Sequence, residues 1–304
     1  MRYRPFGAGG AAISAISLRL GDNPKLRAND WRNLIFAALE NGINSFEVDG
    51  AVPALLDGAA QAFASVERRL LFIGWRLRAT GGLPLTAQAV HDMIDLAQDR
   101  VGVERLDIVT LDDPCGNIVP DETHAVLTAL RGARLIQRLA ISGGGPSQDA
   151  QAASGAFEAI ATPFNLVSDW VDRNRVRTAM ARNMAVIGQD YWPEALRGER
   201  PALLPKPSLW RRRTDPLAGL GGYDFLNATP GWTAREICLS YALTEPSLAT
   251  VQVSASTPPR SKPWPRSPSA TCPPAARRRS RWPVFRRRPS VRQSAALDPG
   301  GRGA

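Results

Sequence analysis

Charged and polar residues stand at the ends of short apolar runs in this sequence, where packing alone gives no reason for them. Glu47 and Asp49 close the run that begins at Ile43. Arg76 and Arg78 close the run that begins at Leu70, and Asp112 and Asp113 the run that begins at Leu106. Ser142, Asn165, and Gln189 with Asp190 end three more. Two carboxylates brought together, here Glu47 and Asp112, can divide acid and base roles because the charge of one raises the pKa of the other. That would be hydrolase or lyase chemistry. Arg76 between them opposes such a rise. Glu47 with Arg76 reads equally as a structural ion pair, and Asp112 with Asp113 as turn and cap residues ahead of Pro114.

The elements that must position these residues alternate. From Asn29 to Glu40, residues Trp31, Leu34, Ile35, Ala38 and Leu39 form the stripe of a helix lying on a core. Gly42 ends it, and Ile43–Val48 is a short buried strand. The unit recurs. Pro53–Phe63 predicts a helix and Leu70–Arg76 a strand; Thr86 caps a helix to Val101, and Leu106–Leu111 follows as a strand. Helix Asp121–Leu130 precedes strand Leu135–Ile141, and a helix around Gln148–Phe157 precedes strand Ala159–Leu166. Helices at Asp172–Arg182 and Thr233–Leu243 lead to strands Met184–Ile187 and Leu248–Ser254. With a strand at Ser14–Leu20, this makes eight. Ahead of them, Arg2 to Ile16 reads as a hairpin around Gly7-Ala8-Gly9-Gly10 that plugs or caps something.

Eight helix-strand units over about 250 residues argue for an α/β fold closed into a (β/α)8 TIM barrel, with chemistry at the C-terminal ends of the strands. The runner-up is an open doubly wound sheet. It lacks the Gly-x-Gly-x-x-Gly that should follow its first strand.

The net charge of +10 over 304 residues suggests a polyanionic partner until it is located. Residues 258–304 hold eleven Arg and one Lys against Asp298 alone, a net +11, which leaves −1 for residues 1–257. The body is therefore an ordinary near-neutral domain. The Pro- and Arg-rich tail cannot bury enough apolar surface to offset its ordering entropy and is expected to be disordered. Three readings of it stay open: a counterion-releasing contact with nucleic acid or another acidic surface through Arg277–Arg279 and Arg286–Arg288, a solvated extension, and an out-of-frame translation. Outside the tail, nucleic acid is not an expected partner.

No secretory signal or membrane span is expected, and three cysteines without metal-ligand spacing fit a reducing, cytoplasmic setting. His91 and His124 fall on helices away from the strand ends, which disfavours a zinc site or a Ser-His pair. Cys115 near the mouth has no visible base. The Gly143-Gly144-Gly145 loop can approach a phosphate or simply turn the chain. Between Arg197 and Gly231, Lys206, Arg211, Arg212 and Arg213 could reach phosphates over the mouth or lie in solvent.

Several stretches in order resemble the aldo-keto reductase family over residues 1–257. They are Met1-Arg2-Tyr3-Arg4-Pro5-Phe6-Gly7, Asn41-Gly42-Ile43-Asn44-Ser45-Phe46, Arg105-Leu106-Asp107-Ile108-Val109, Leu139-Ala140-Ile141-Ser142 and Thr233–Leu243. The resemblance implies reduction of aldehydes or ketones with NADPH or NADH, a small carbonyl substrate, and a tetrad of aspartate, tyrosine, lysine and histidine. Carried over by position, these fall on Glu47, Val52, Arg76 and Asp112. None is kept, and Val52 cannot donate a proton.

Among cofactor positions, Ser142 matches a serine at the nicotinamide carboxamide and Asn165 a polar residue at the sixth strand end. The neighbouring asparagine and glutamine are replaced by Gly143 and Ala161. The stacking aromatic falls on Gln189, with Tyr191 and Trp192 close enough to substitute if the strand slips. The family pattern stops at Thr257-Pro258, where a phosphate-binding helix should begin. These departures imply impaired or absent reduction, with a non-catalytic barrel that binds a ligand or protein as the alternative.

Overall fold

The computed structural model describes residues 1–8, 10–79, 84–112, 119–196, 223, 226 and 229–255. Asp113, Cys115, Lys206, Arg211, Arg212, Arg213 and the tail from Pro258 onward lie outside the described residues.

The strands are β1 (Tyr3–Phe6), β2 (Ala11–Ser14), β3 (Ile16–Gly21), β4 (Ser45–Asp49), β5 (Phe72–Arg78), β6 (Ile108–Asp112), β7 (Leu139–Ser142), β8 (Ala159–Pro163), β9 (Ala185–Gln189) and β10 (Thr250–Ala255). Strands β3 to β10 form a closed parallel barrel in sequence order, and β10 pairs with β3 to shut it. The helices are α1 (Ala28–Glu40), α2 (Pro53–Phe63), α3 (Ala87–Asp95), α4 (Asp121–Gly132), α5 (Pro146–Ala153), α6 (Trp170–Ala181) and α7 (Ala234–Leu243). The (β/α)8 expectation is met.

Burial explains the closure. Strand residues such as Leu18, Val48, Ile73, Val109 and Val186 face the helices in one large apolar cluster, and Trp31, Leu34 and Leu55 meet them from outside. The interior is made of small residues, Ala140, Ala159, Ala161 and Ala185, with Phe72, Ile108 and Ile187. Into this layer the hairpin inserts Phe6 and Ile13, which are 1% and 0% exposed. The β1-β2 hairpin thus plugs the N-terminal end of the barrel. Arg4 fastens it by donating to the carbonyls of Leu243, Glu245 and Leu248, at the end of α7 and in the turn after it.

Local signals act as their chemistry requires. Gly42, at φ +81°, turns the chain after α1 and donates to the Leu39 carbonyl. Thr86 Oγ1 caps α3, and Thr233 with Glu236 forms a capping box at α7. Several strand and helix ends shift by a few residues, among them the strands beginning at Phe72, Ile108 and Leu139, and two shifts have a visible local cause. The helix expected to reach Val101 ends as α-helix at Asp95 and widens into a π turn over Leu96–Arg100 before Gly102 at φ +74°. The strand expected to reach Leu166 leaves the sheet after Pro163, because Asn165 Oδ1 accepts from the Val167 amide and folds the chain into a turn.

Candidate active site

Five strands converge on one buried charge. Arg76, near the end of β5, is 4% exposed, and Glu47 on the neighbouring β4 is 5% exposed. Arg76 Nε donates to Glu47 Oε2 at 2.9 Å, and its Nη1 donates to Ser142 Oγ at 2.8 Å and lies 3.2 Å from Asp112 Oδ1. Nη2 reaches Gln252 Oε1 at 3.3 Å. The side chains then close a ring. Ser142 donates to Gln189 Oε1 at 3.2 Å, Gln189 Nε2 to Gln252 Oε1 at 2.9 Å, and Gln252 Nε2 to Glu47 Oε2 at 2.9 Å.

The electrostatics follow from this packing. Burial by itself lowers the Arg76 pKa, but Glu47 and Asp112 together overturn that and hold it above the ordinary guanidinium value. Arg76 keeps its proton. The structure places Arg76 between Glu47 and Asp112, as the sequence order suggested, so one shared cation compensates both carboxylates. Asp112 ends β6 and bridges Arg76 and Arg78, the latter through Oδ2 to Nε at 3.0 Å. It is an ion-pair partner, and among the described residues it caps no helix.

A second shell of charge adjoins the ring. Asp49 Oδ2 receives Arg19 Nε at 2.5 Å and Arg78 Nη2 at 2.8 Å. Burial pushes the Asp49 carboxyl pKa up, with Arg19, Arg78 and Arg76 opposing the shift without cancelling it. Sequence reasoning did not single out Arg19 or Gln252. The signal was there in each case: one polar residue flanked by Leu18 and Leu20, another by Val251 and Val253, in strands buried on both faces.

The remaining expected residues are placed less centrally. Asn165 lies buried in the turn after β8, where its Nδ2 donates to the Asp190 carbonyl and its Oδ1 accepts from Val167. Tyr191 is buried, and its hydroxyl accepts from Arg235 Nε at 2.7 Å. Gln189 ends β9 opposite Pro163. Val52 begins α2 as its N-terminal flanking residue, with an extended backbone and a side chain that carries no proton to give. His91 and His124 lie on α3 and α4, and among the described residues no group of three or more His, Cys, Asp or Glu could hold a metal ion. Burial pushes the Cys238 thiol up to about 12, so it is protonated and inert at neutral pH.

No family model and no curated protein matches this chain. Solved structures do. Aldo-keto reductase AKR11C1 from Bacillus halodurans, in its holo form, superposes with a TM-score of 0.67 at 17% identity, over 92% of this chain and 94% of that one. A putative aldo-keto reductase from Pseudomonas aeruginosa superposes with a TM-score of 0.61 at 15% identity, over 84% and 89%. The chain has the aldo-keto reductase fold.

On that fold, the residues carried over for a nicotinamide can be tested against their own contacts. Recognition of a carboxamide needs donors and acceptors left free to face it. Ser142 Oγ instead spends itself on Arg76 and Gln189, and Gln189 on Ser142 and Gln252. Asn165 gives Nδ2 to the Asp190 carbonyl beyond β9 and accepts through Oδ1 from the Val167 amide of its own turn. In this arrangement Ser142 and Gln189 bond each other and Asn165 bonds backbone groups of Val167 and Asp190, so a carboxamide bound here would share or displace these bonds. Among the described residues, no helix is long and apolar enough to cross a membrane.

Proposed function

We propose that this chain is a divergent member of the aldo-keto reductase family, descended from barrels that reduce aldehydes and ketones with NADPH or NADH, in which carbonyl reduction is severely impaired or lost. The observation that supports this reading is the binding of Arg76 to Glu47, Asp112, Ser142 and Gln252 together. Reducing a carbonyl requires a proton delivered to oxygen by a group poised near neutrality. Val52 has none, and Arg76 stands where a lysine would tune a neighbouring acid. Its guanidinium holds its proton too firmly to serve instead. Glu47 accepts from both Arg76 and Gln252 through one oxygen and is buried in the ring.

A second reading is favoured by the completeness of the polar ring. A fully satisfied buried network confers rigidity and a single arrangement of the strand ends, which suits a barrel that holds a ligand or a protein partner without turnover.

Titration of the full chain with NADPH and with NADH, followed by tryptophan fluorescence and coupled to an assay on a panel of aldehydes, tests the proposal. Saturable quenching at micromolar cofactor without turnover is the expected result. Rapid turnover overturns the loss of chemistry, and no quenching by either cofactor moves the assignment to the binding module.

A further inference from the structure

Beside the ring lies a pocket of about 530 Å³, at the C-terminal ends of β4 and β5 and against α3. Small-molecule sites occupy roughly 300–1,000 Å³, so the space suits a compact ligand. Its walls differ in kind. Trp75, Met93 and Leu96 supply apolar lining, and Arg19, Arg76 and Arg78 supply guanidinium groups, Arg76 being already engaged in the ring.

Each guanidinium carries five N–H groups. Asp49 receives one bond from Arg19 and one from Arg78, and Asp112 receives one more from Arg78. Among the described residues, nothing accepts from the two Nη atoms of Arg19 or from Nη1 of Arg78. Both side chains reach solvent, at 26% and 43% exposure, whereas the Asp49 side chain that holds them is 7% exposed. A buried carboxylate thus orients two guanidinium groups at the pocket, and among the described residues part of each fork has no acceptor. Asp22 and Asp92 lie on the rim, each engaged by a neighbour, Asp22 by the Val52 amide and Asp92 by Gln88. Their charge works against polyanions and leaves a single oxyanion as the favoured head group.

We propose that this pocket binds a small amphipathic monocarboxylate, its head on Arg19 and Arg78 and its apolar body along Trp75, Met93 and Leu96. The planar fork of arginine matches a carboxylate through paired N–H bonds, which a hydroxyl cannot reproduce. This inference extends the binding-module reading by naming a ligand class, and it requires no hydride transfer.

Isothermal titration of the full chain with octanoate tests it, with octanol and inorganic phosphate as comparators. Octanoate is expected to bind saturably and at least tenfold more tightly than either comparator. Arg19→Gln is expected to weaken octanoate at least tenfold and leave octanol unchanged. Leu96→Trp, which fills the pocket from a partly exposed position, is expected to abolish octanoate binding and serves if Arg19→Gln does not fold. No octanoate binding, equal binding of octanol or phosphate, or octanoate binding indifferent to both substitutions overturns the proposal. Cofactor titration of the same sample keeps the questions apart: binding of NADPH without octanoate sinks the pocket alone, and binding of octanoate without NADPH sinks only the cofactor site.

Discussion

Gln252 Nε2 donates to Glu47 Oε2 at 2.9 Å, and that same oxygen receives Arg76 Nε. The last barrel strand therefore completes the environment of a carboxylate on the second one, 205 residues earlier. The ring is a single electrostatic unit, and its members should respond to substitution as a unit.

Arg76→Met should lower stability by about 3–5 kcal/mol, because it leaves Glu47 buried with an amide as its remaining side-chain partner. Urea denaturation measures the loss. The double variant Glu47→Leu with Arg76→Met should recover most of it, since removing both charges removes the desolvation cost of each. A double variant as unstable as the single one would show that shape, and not charge pairing, sets the cost.

Restoring the missing groups tests the functional proposal from the other side. The triple variant Glu47→Asp, Val52→Tyr, Arg76→Lys should gain aldehyde reduction over the parent chain, since a hydroxyl beside a lysine can be poised for proton transfer. An aldehyde assay with NADPH reads the gain. No activity in a folded triple variant that binds cofactor would mean that the rest of the mouth has also diverged.

Gly58 marks where α1 and α2 touch. A Cβ there would stand 2.5 Å from the Ala28 carbonyl oxygen and 2.5 Å from Trp31 Cβ, both on α1. Gly58→Ala should therefore destabilise by about 1–3 kcal/mol through overpacking, against the usual gain from replacing a helical glycine. Thermal unfolding of the variant decides the sign.

Asp49 gives a pH test. Its folded pKa is raised by burial, so its protonated form favours the fold most below the unfolded carboxylate range of about 4. That contribution is lost as pH rises through the raised value. Asp49→Asn removes the titration. The stability of the parent relative to the variant should fall between pH 4 and the raised value, as urea midpoints at successive pH will show. A constant difference would mean that the Arg19 and Arg78 charges keep Asp49 ionised throughout.

The fold was readable because its signals are local and repeated. The α1 stripe of Trp31, Leu34, Ile35 and Ala38 and the cap at Thr86 announce their elements within a turn or two. Glu47, Arg76, Asp112 and Ser142 were visible as polar residues at strand ends, and the closed sheet brings them together. Gln252 and Arg19 were passed over for a geometric reason. In a strand buried on both faces, alternation does not say which residue points into the barrel, and the partner lies across the ring instead of along the chain. Asn165 shows a second limit of the same kind. Its position at a strand end gave no hint that Oδ1 would build the turn to Val167 while Nδ2 reaches the Asp190 carbonyl beyond β9.

The seam between β3 and β10 sets an order of events during synthesis. A ribosome delivers Ile16–Gly21 first among the barrel strands and Thr250–Ala255 last, so a nascent chain holds an unpaired strand edge until almost the whole barrel has emerged. Through that interval Glu47 lacks Gln252, and the open edge of β3 is a surface on which other chains can pair. A chain stalled before residue 250 should be a client of chaperones, and one that passes it should release them as the ring locks.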